Sequence, residues 1–163
     1  MTTITTATQI ARIEIDAATT ASASALQRAE WRVLAEDLAS AGLATTSGAS
    51  VLIVSRAGHL AAIRLEGAEG ALATHPLDSS TLTALFDEYV GIVKMMIAED
   101  VPLPRLEALD MAKKVVHDRA ARTLSAEMPM LHGSAEAMRR LFSLVVALRV
   151  DPHDIKATRR HGR

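Results

Sequence analysis

Cysteine is missing altogether from the 163-residue chain. That removes disulfide frameworks, thiolate metal sites and cysteine nucleophiles together. Aromatic residues are nearly missing as well: Trp31, Tyr89, Phe86 and Phe142 are the whole set. Ring-lined surfaces of the kind that stack bases or cage cofactors are therefore scarce. The core has to be assembled from Leu, Val, Ile, Met and Ala. No charge of one sign dominates, because 18 basic residues against 19 acidic ones give a formal net charge of -1. A whole-chain polycation that coats nucleic acid or an anionic membrane is excluded. Long apolar runs are lacking too. Leu144 to Leu148 is among the longest, far short of the ~20 residues that cross a bilayer. Met1 to Ile10 carries no basic residue and no apolar run, so a secretory signal is not expected.

What is there is a hydrophobic fraction of 49% in a chain of one-domain size, which rules out disorder of the whole chain. The mean hydropathy of +0.17 is high for a soluble monomer and points to a buried partner surface. A cytoplasmic, bacterial-type protein is the expectation.

Along the chain, residues 1–9 are Thr-rich and read as a flexible N-terminus. A single domain is expected over 10–150, and a flexible basic tail over 151–163 with Lys156, Arg159, Arg160 and Arg163. Ile10 to Asp16 alternates, with Ala11, Ile13 and Ile15 on one side, as a strand with one wet face does. Ala17 to Ser24 reads as a loop. Ala25 to Ala41 reads as a helix with Leu26, Trp31, Leu34 and Leu38 inward, closed by Gly42 at a left-handed cap. Thr45 to Ser50 reads as another loop. Val51–Arg56, Leu60–Glu66 and Ala71–Leu77 form a meander of two hairpins. The rest is helical. Asp78, Ser79 and Ser80 are candidate N-caps for a stripe running from Leu82 to Ile97. Pro104 favours the first turn of a helix over Arg105 to Glu127. Ser134 caps a last helix, Ala135 to Val150. The order β-α-β-β-β-α-α-α predicts an α+β fold: a small antiparallel sheet packed on one face by helices.

Chemistry concentrates on the helix after Pro104. Leu106, Leu109, Ala112, Val116, Ala120 and Leu124 share its core face. Along one edge of that face run Glu107, Asp110, Lys114 and His117. A carboxylate bonded to His117 would set its tautomer and raise its basicity, as a general base requires. Lys114, with Arg139 or Arg140 from the last helix, would hold an anionic group. The competing reading is an ion-pair ladder with His117 at the core margin, since an acid four residues before a lysine is also plain helix design.

Other constellations are weaker. His59, His75, His117 and His132 are scattered without a metal-binding spacing, so no metal is expected. Glu66-Gly67-Ala68-Glu69-Gly70 carries acids that repel phosphate, and no phosphate loop or nucleophile elbow is present. No cofactor is expected. The basic tail lacks interleaved aromatics, which disfavours nucleic acid as a partner.

Leu106-Glu107-Ala108-Leu109-Asp110-Met111-Ala112-Lys113-Lys114-Val115-Val116-His117-Asp118 resembles the segment I-E-A-I-D-M-G-R-R-G-L-H-N-E-G. That segment is typical of a bacterial group, uncharacterised protein family 0262. Arg139 to Leu148 is similar to the family's R-R-L-F-T-L-I-C-V-L. Leu60 to Arg64 and Thr74 to Leu77 stand where the family has R-L-V-F-D-I-R and T-H-L-L. The resemblance spans roughly Ile10 to Val150. It implies no activity, but it puts Glu107, Asp110, Lys113, Lys114, His117, Arg139 and Arg140 on the family's polar positions. Two departures matter. The family's H-N-E-G is His117-Asp118-Arg119-Ala120 here, which loses a carboxylate. Its arginine pair is Lys113-Lys114, which forfeits planar bidentate recognition.

The resulting expectation is a non-enzymatic binding or interaction module that self-associates as a homodimer. The alternative is a small enzyme or ligand-binding protein for an anionic metabolite. In that alternative Asp110 and His117 are catalytic, and Glu107, Lys113, Lys114, Arg139 and Arg140 bind the ligand.

Overall fold

The computed structural model describes residues 6–150. The expectations for the first five residues and for the basic tail lie outside them. The elements are β1 (Thr8–Gln9), β2 (Arg12–Ile15), α1 (Ala17–Ala21), α2 (Ala25–Ser40), β3 (Ala44–Thr45), β4 (Val51–Ala57), β5 (Leu60–Gly67), β6 (Gly70–Pro76), α3 (Ser80–Met96), α4 (Leu103–Glu127), β7 (Leu131–His132) and α5 (Ala135–Arg149). The fold is α+β.

The main sheet has the order β2-β4-β5-β6. β4, β5 and β6 are the antiparallel meander expected from their alternation. β2 joins β4 in parallel, because the connection between them is a helical crossover and not a hairpin. Part of that crossover, Ala17–Ala21, was expected to be loop and is the short helix α1. Small residues without strong periodicity still form a turn of helix when backbone bonds such as Thr20 N to the Asp16 carbonyl, 2.9 Å, are available. A second, three-stranded sheet of two-residue strands, β1-β3-β7, ties Thr8–Gln9 and Leu131–His132 to the chain after α2. It takes Thr8 and Gln9 out of the expected flexible N-terminus and Thr45 out of an expected loop. Ladder bonds come from the backbone, so polar residues form them too.

One face of the main sheet is core. Leu52 pairs with Leu65, and Val54 with Ile63, and all four are buried with the helices. On the other face Val51 and Ile53 are covered from the side. Ile53 sits between Glu14 and Arg64, and Arg64 reaches Glu66 at 3.0 Å and Asp16 at 3.6 Å. The aliphatic stems of those long side chains shield it while their charges stay wet.

Serine caps set the helix starts. Ser24 and Gln27 form a reciprocal capping box on α2. Ser79 accepts from Leu82 N, and Ser134 from Ala137 N, both at 3.1 Å. Each satisfies an otherwise orphaned N–H. Gly42 follows α2 at φ +82°, the left-handed conformation expected of it. On α2 the inward residues are Trp31, Ala35 and Leu38. Leu26 was expected among them but is 78% exposed. It lies more than a quarter-turn round the helix from the buried row, which the loose three-to-five spacing obscured.

α5 is the hub. Eight of its fifteen residues are buried, and it packs on α2, α4 and the core face of β4 and β5. Its last carbonyls receive bonds from other elements: Trp31 Nε1 donates to the Ala147 carbonyl at 3.2 Å, and Arg56 Nη1 to the Leu148 carbonyl at 2.6 Å. These donors supply the partners that a helix C-terminus lacks internally. Among the described residues no helix is long and apolar enough to cross a membrane.

Candidate functional site

The α4 strip arises as its spacing requires. Leu109, Val116, Ala120 and Leu124 are buried, which turns the 110–114–117 edge toward the boundary with α5. Asp110 does not reach His117. It takes Lys114 instead, Nζ to Oδ2 3.1 Å, with both side chains largely in water. Asp110 thus sits in the ladder rung that i,i+4 spacing favours. The partner of His117 comes from α5: Nε2 lies 3.0 Å from Ser143 Oγ.

The imidazole is held on other sides by rings. Tyr89 of α3 stacks on it at 5.4 Å between centroids and 14° between planes. Phe142 of α5 meets it edge-on at 5.3 Å. Phe142 also stacks on Phe86 at 5.2 Å and meets Tyr89 edge-on at 5.5 Å. The scarce aromatics are therefore concentrated at the junction of α3, α4 and α5, where offset and edge contacts add to ordinary burial. Arg149 lies over the outer part of this cluster, 4.1 Å from the Phe86 ring centre, as a cation does on an aromatic face. Burial pushes His117 below its usual pKa, Lys113 and Arg139 push it the same way, and Asp118 and Glu136 oppose them. Burial likewise raises the Tyr89 phenol.

Lys114, His117, Arg139, Arg140 and Ser143 line one recess of about 430 Å³, together with Asp118 and Glu136. Four of the seven residues expected at a site are thus brought together. Glu107, Asp110 and Lys113 do not line it. Its arginines are already engaged. Arg139 bridges the two helices, reaching Asp118 at 2.9 Å and Glu136 at 2.8 Å. Arg140 takes the other Glu136 oxygen at 3.2 Å and the Asp37 carbonyl of α2 at 2.9 Å. Those bonds from Arg139 and Arg140 lower the pKa of Glu136. A hydroxyl beside a neutral imidazole has the geometry for proton removal. Among the described residues, however, no carboxylate hydrogen-bonds to the ring to orient it.

A second concavity of about 370 Å³ opens on the other side of Ser143. Its walls are Gln27, Glu30 and Leu34 of α2 and Tyr89, Val90 and Val93 of α3. Its floor is Ser143, Val146 and Ala147 of α5, with Val150 just beyond. Sequence reasoning missed it, although Val90 and Val93 continue the α3 stripe past what α4 and α5 cover. The other histidines among the described residues stand apart: His59 and His132 are exposed, and His75 is on β6. No cluster of three or more His, Asp or Glu among the described residues is placed to hold a metal ion.

A family model for an uncharacterised protein family, UPF0262, matches residues 7–151. The chain belongs to that family. The match takes in every residue of both concavities, so the groove and the recess lie within the family's own domain. No curated protein and no solved structure matches the UPF0262 chain.

Proposed function

We propose that this UPF0262 protein is a non-catalytic interaction module that pairs with a second copy of itself. The observation that carries the reading is the apolar groove between α2 and α3. It leaves Leu34, Val90 and Val93 half-buried, with Leu26 and Val33 exposed on the same helix as one wall. Apolar surface gathered in this way is the usual mark of an interface. The charged recess supports the same reading from the other direction, because its cations are taken up by partners within the fold. Sedimentation velocity of the full chain over a dilution series tests the proposal. A dimer is expected, and Val93→Asp is expected to convert it to a monomer with unchanged far-ultraviolet circular dichroism. A parent protein that sediments as a monomer at high concentration overturns it.

The recess favours a second reading. Lys114, Arg139 and Arg140 around His117 and Ser143 would hold an anionic small molecule if Glu136 were displaced from the arginines. Inorganic phosphate is the probe. Thermal stabilisation of the parent that is lost in Arg140→Ala supports this reading, and no stabilisation by phosphate rejects it.

A further inference from the structure

The groove lies beside a crest of α2 that carries exposed apolar residues of its own. On α2, Leu34 and Glu30 line the groove. At 100° per residue, Glu30 is about 40° round the helix from Leu34, and Leu26 and Val33 follow within about another 60°. Glu30 thus stands between Leu34 in the groove and a second apolar set on the crest of α2, where Leu26 is 78% and Val33 56% exposed. Leu26, Ala29 and Val33 have the i, i+3, i+7 spacing of a helix that lies in a hydrophobic slot.

The opposite wall ends differently. Val90 lines the groove, and Lys94, four residues on, lies on the same side of α3. The α2 wall thus carries an acid and the α3 wall a base. Neither Glu30 nor Lys94 takes part in an ion pair among the described residues.

We infer that the groove takes the α2 crest of a second copy of this chain, in a twofold pairing in which Glu30 of each protomer meets Lys94 of its partner. A twofold interface uses one surface patch on both subunits. This patch is both slot and ridge, so the same operation seats both α2 crests at once. It also sets each acidic wall against the partner's basic wall, which fixes the register. The inference rests on the self-association proposed above and names its surface.

Charge exchange in the full chain tests it. Dimer dissociation constants are measured by sedimentation for the parent, Glu30→Lys, Lys94→Glu and the double variant carrying both. Each single substitution sets like charges face to face and is expected to raise the constant about tenfold or more. The double variant restores the pairing in reversed sense and is expected to return close to the parent. Glu30 is exposed and Lys94 only half-buried, and unchanged far-ultraviolet circular dichroism checks that the variants fold. A dimer indifferent to both single substitutions overturns the surface assigned here and leaves self-association standing. Single variants that dissociate without rescue in the double variant also overturn the Glu30–Lys94 pairing. A monomeric parent overturns the pairing and the self-association together.

Discussion

The concavities on either side of Ser143 are similar in size but differ in what they leave unsatisfied. In the recess between α4 and α5, Arg139 holds Asp118 and Glu136, Arg140 holds Glu136 and the Asp37 carbonyl, and Lys114 holds Asp110. Nearly every charge has its counterpart within the chain, so the recess acts as a clasp between helices. In the groove between α2 and α3, half-buried Leu34, Val90 and Val93 and the exposed crest of α2 have no cover among the described residues. A polar surface can complete itself by internal pairing, whereas an apolar one is completed only by something laid on it. Polar richness drew attention to the recess in the sequence. The groove, with less chemistry, has more to gain from a partner.

Phe142 lies under both regions and is the place to break them together. It is fully buried and touches Phe86, Tyr89 and His117. Phe142→Ala is expected to cost about 3–5 kcal/mol, as removal of a buried phenyl does when the cavity cannot collapse. Denaturant unfolding measures the loss. Tyr89 and His117 lose an edge contact at the same time, so both the groove wall and the recess should loosen. A cost below about 1 kcal/mol would mean that the aromatic junction is not what couples them.

The strand alternation, the capping serines, Gly42 and the buried face of α4 were legible because each is set by residues within a few positions. Leu109, Val116, Ala120 and Leu124 follow from helical period alone. The parallel entry of β2 was not legible, since it depends on where a crossover returns the chain. Nor was the partner of His117. Spacing along α4 offered Asp110, but the imidazole lies against Ser143, Tyr89 and Phe142 from two other helices. Asp118 looked in the sequence like a departure from the family pattern, yet it is an anchor for Arg139. The one clue to Ser143 was a hydroxyl next to Phe142 within the otherwise apolar stretch Leu141 to Leu148.

His117 gives a prediction of intermediate size that separates burial from charge pairing. Its pKa in the fold is held below the 6.5 of a free imidazole, so the unfolded chain binds a proton where the native chain does not. The stabilisation is complete above about pH 6.5 and is lost as pH falls through the depressed native value. Urea unfolding at pH 7.5 and at pH 5 should therefore show a larger drop for the parent than for His117→Gln, which has no group titrating there. Carboxylates that titrate in the same window are common to both proteins and cancel in the comparison. An equal drop in the two would show that the ring is solvated in the native state and that the recess reaches further under α3 than the stacking on Tyr89 implies.

The smallest effect belongs to Lys114, at the outer edge of the recess. Its ammonium lies 3.1 Å from Asp110, and the two side chains are 67% and 47% exposed. An exposed i,i+4 pair of this kind contributes about 0.3–0.5 kcal/mol, because solvent screens the attraction and two long side chains lose freedom. Lys114→Gln keeps helix propensity nearly constant and leaves Asp110 in water, where an unpaired carboxylate carries little penalty. The expected loss in urea unfolding is therefore of that size, and it should fade in 1 M salt, where the screening length is ~3 Å. A loss that is several times larger and persists in salt would make Lys114 part of a desolvated charge cluster. The recess would then no longer be the self-satisfied side of the comparison, and the anionic-ligand reading would gain the advantage over the groove.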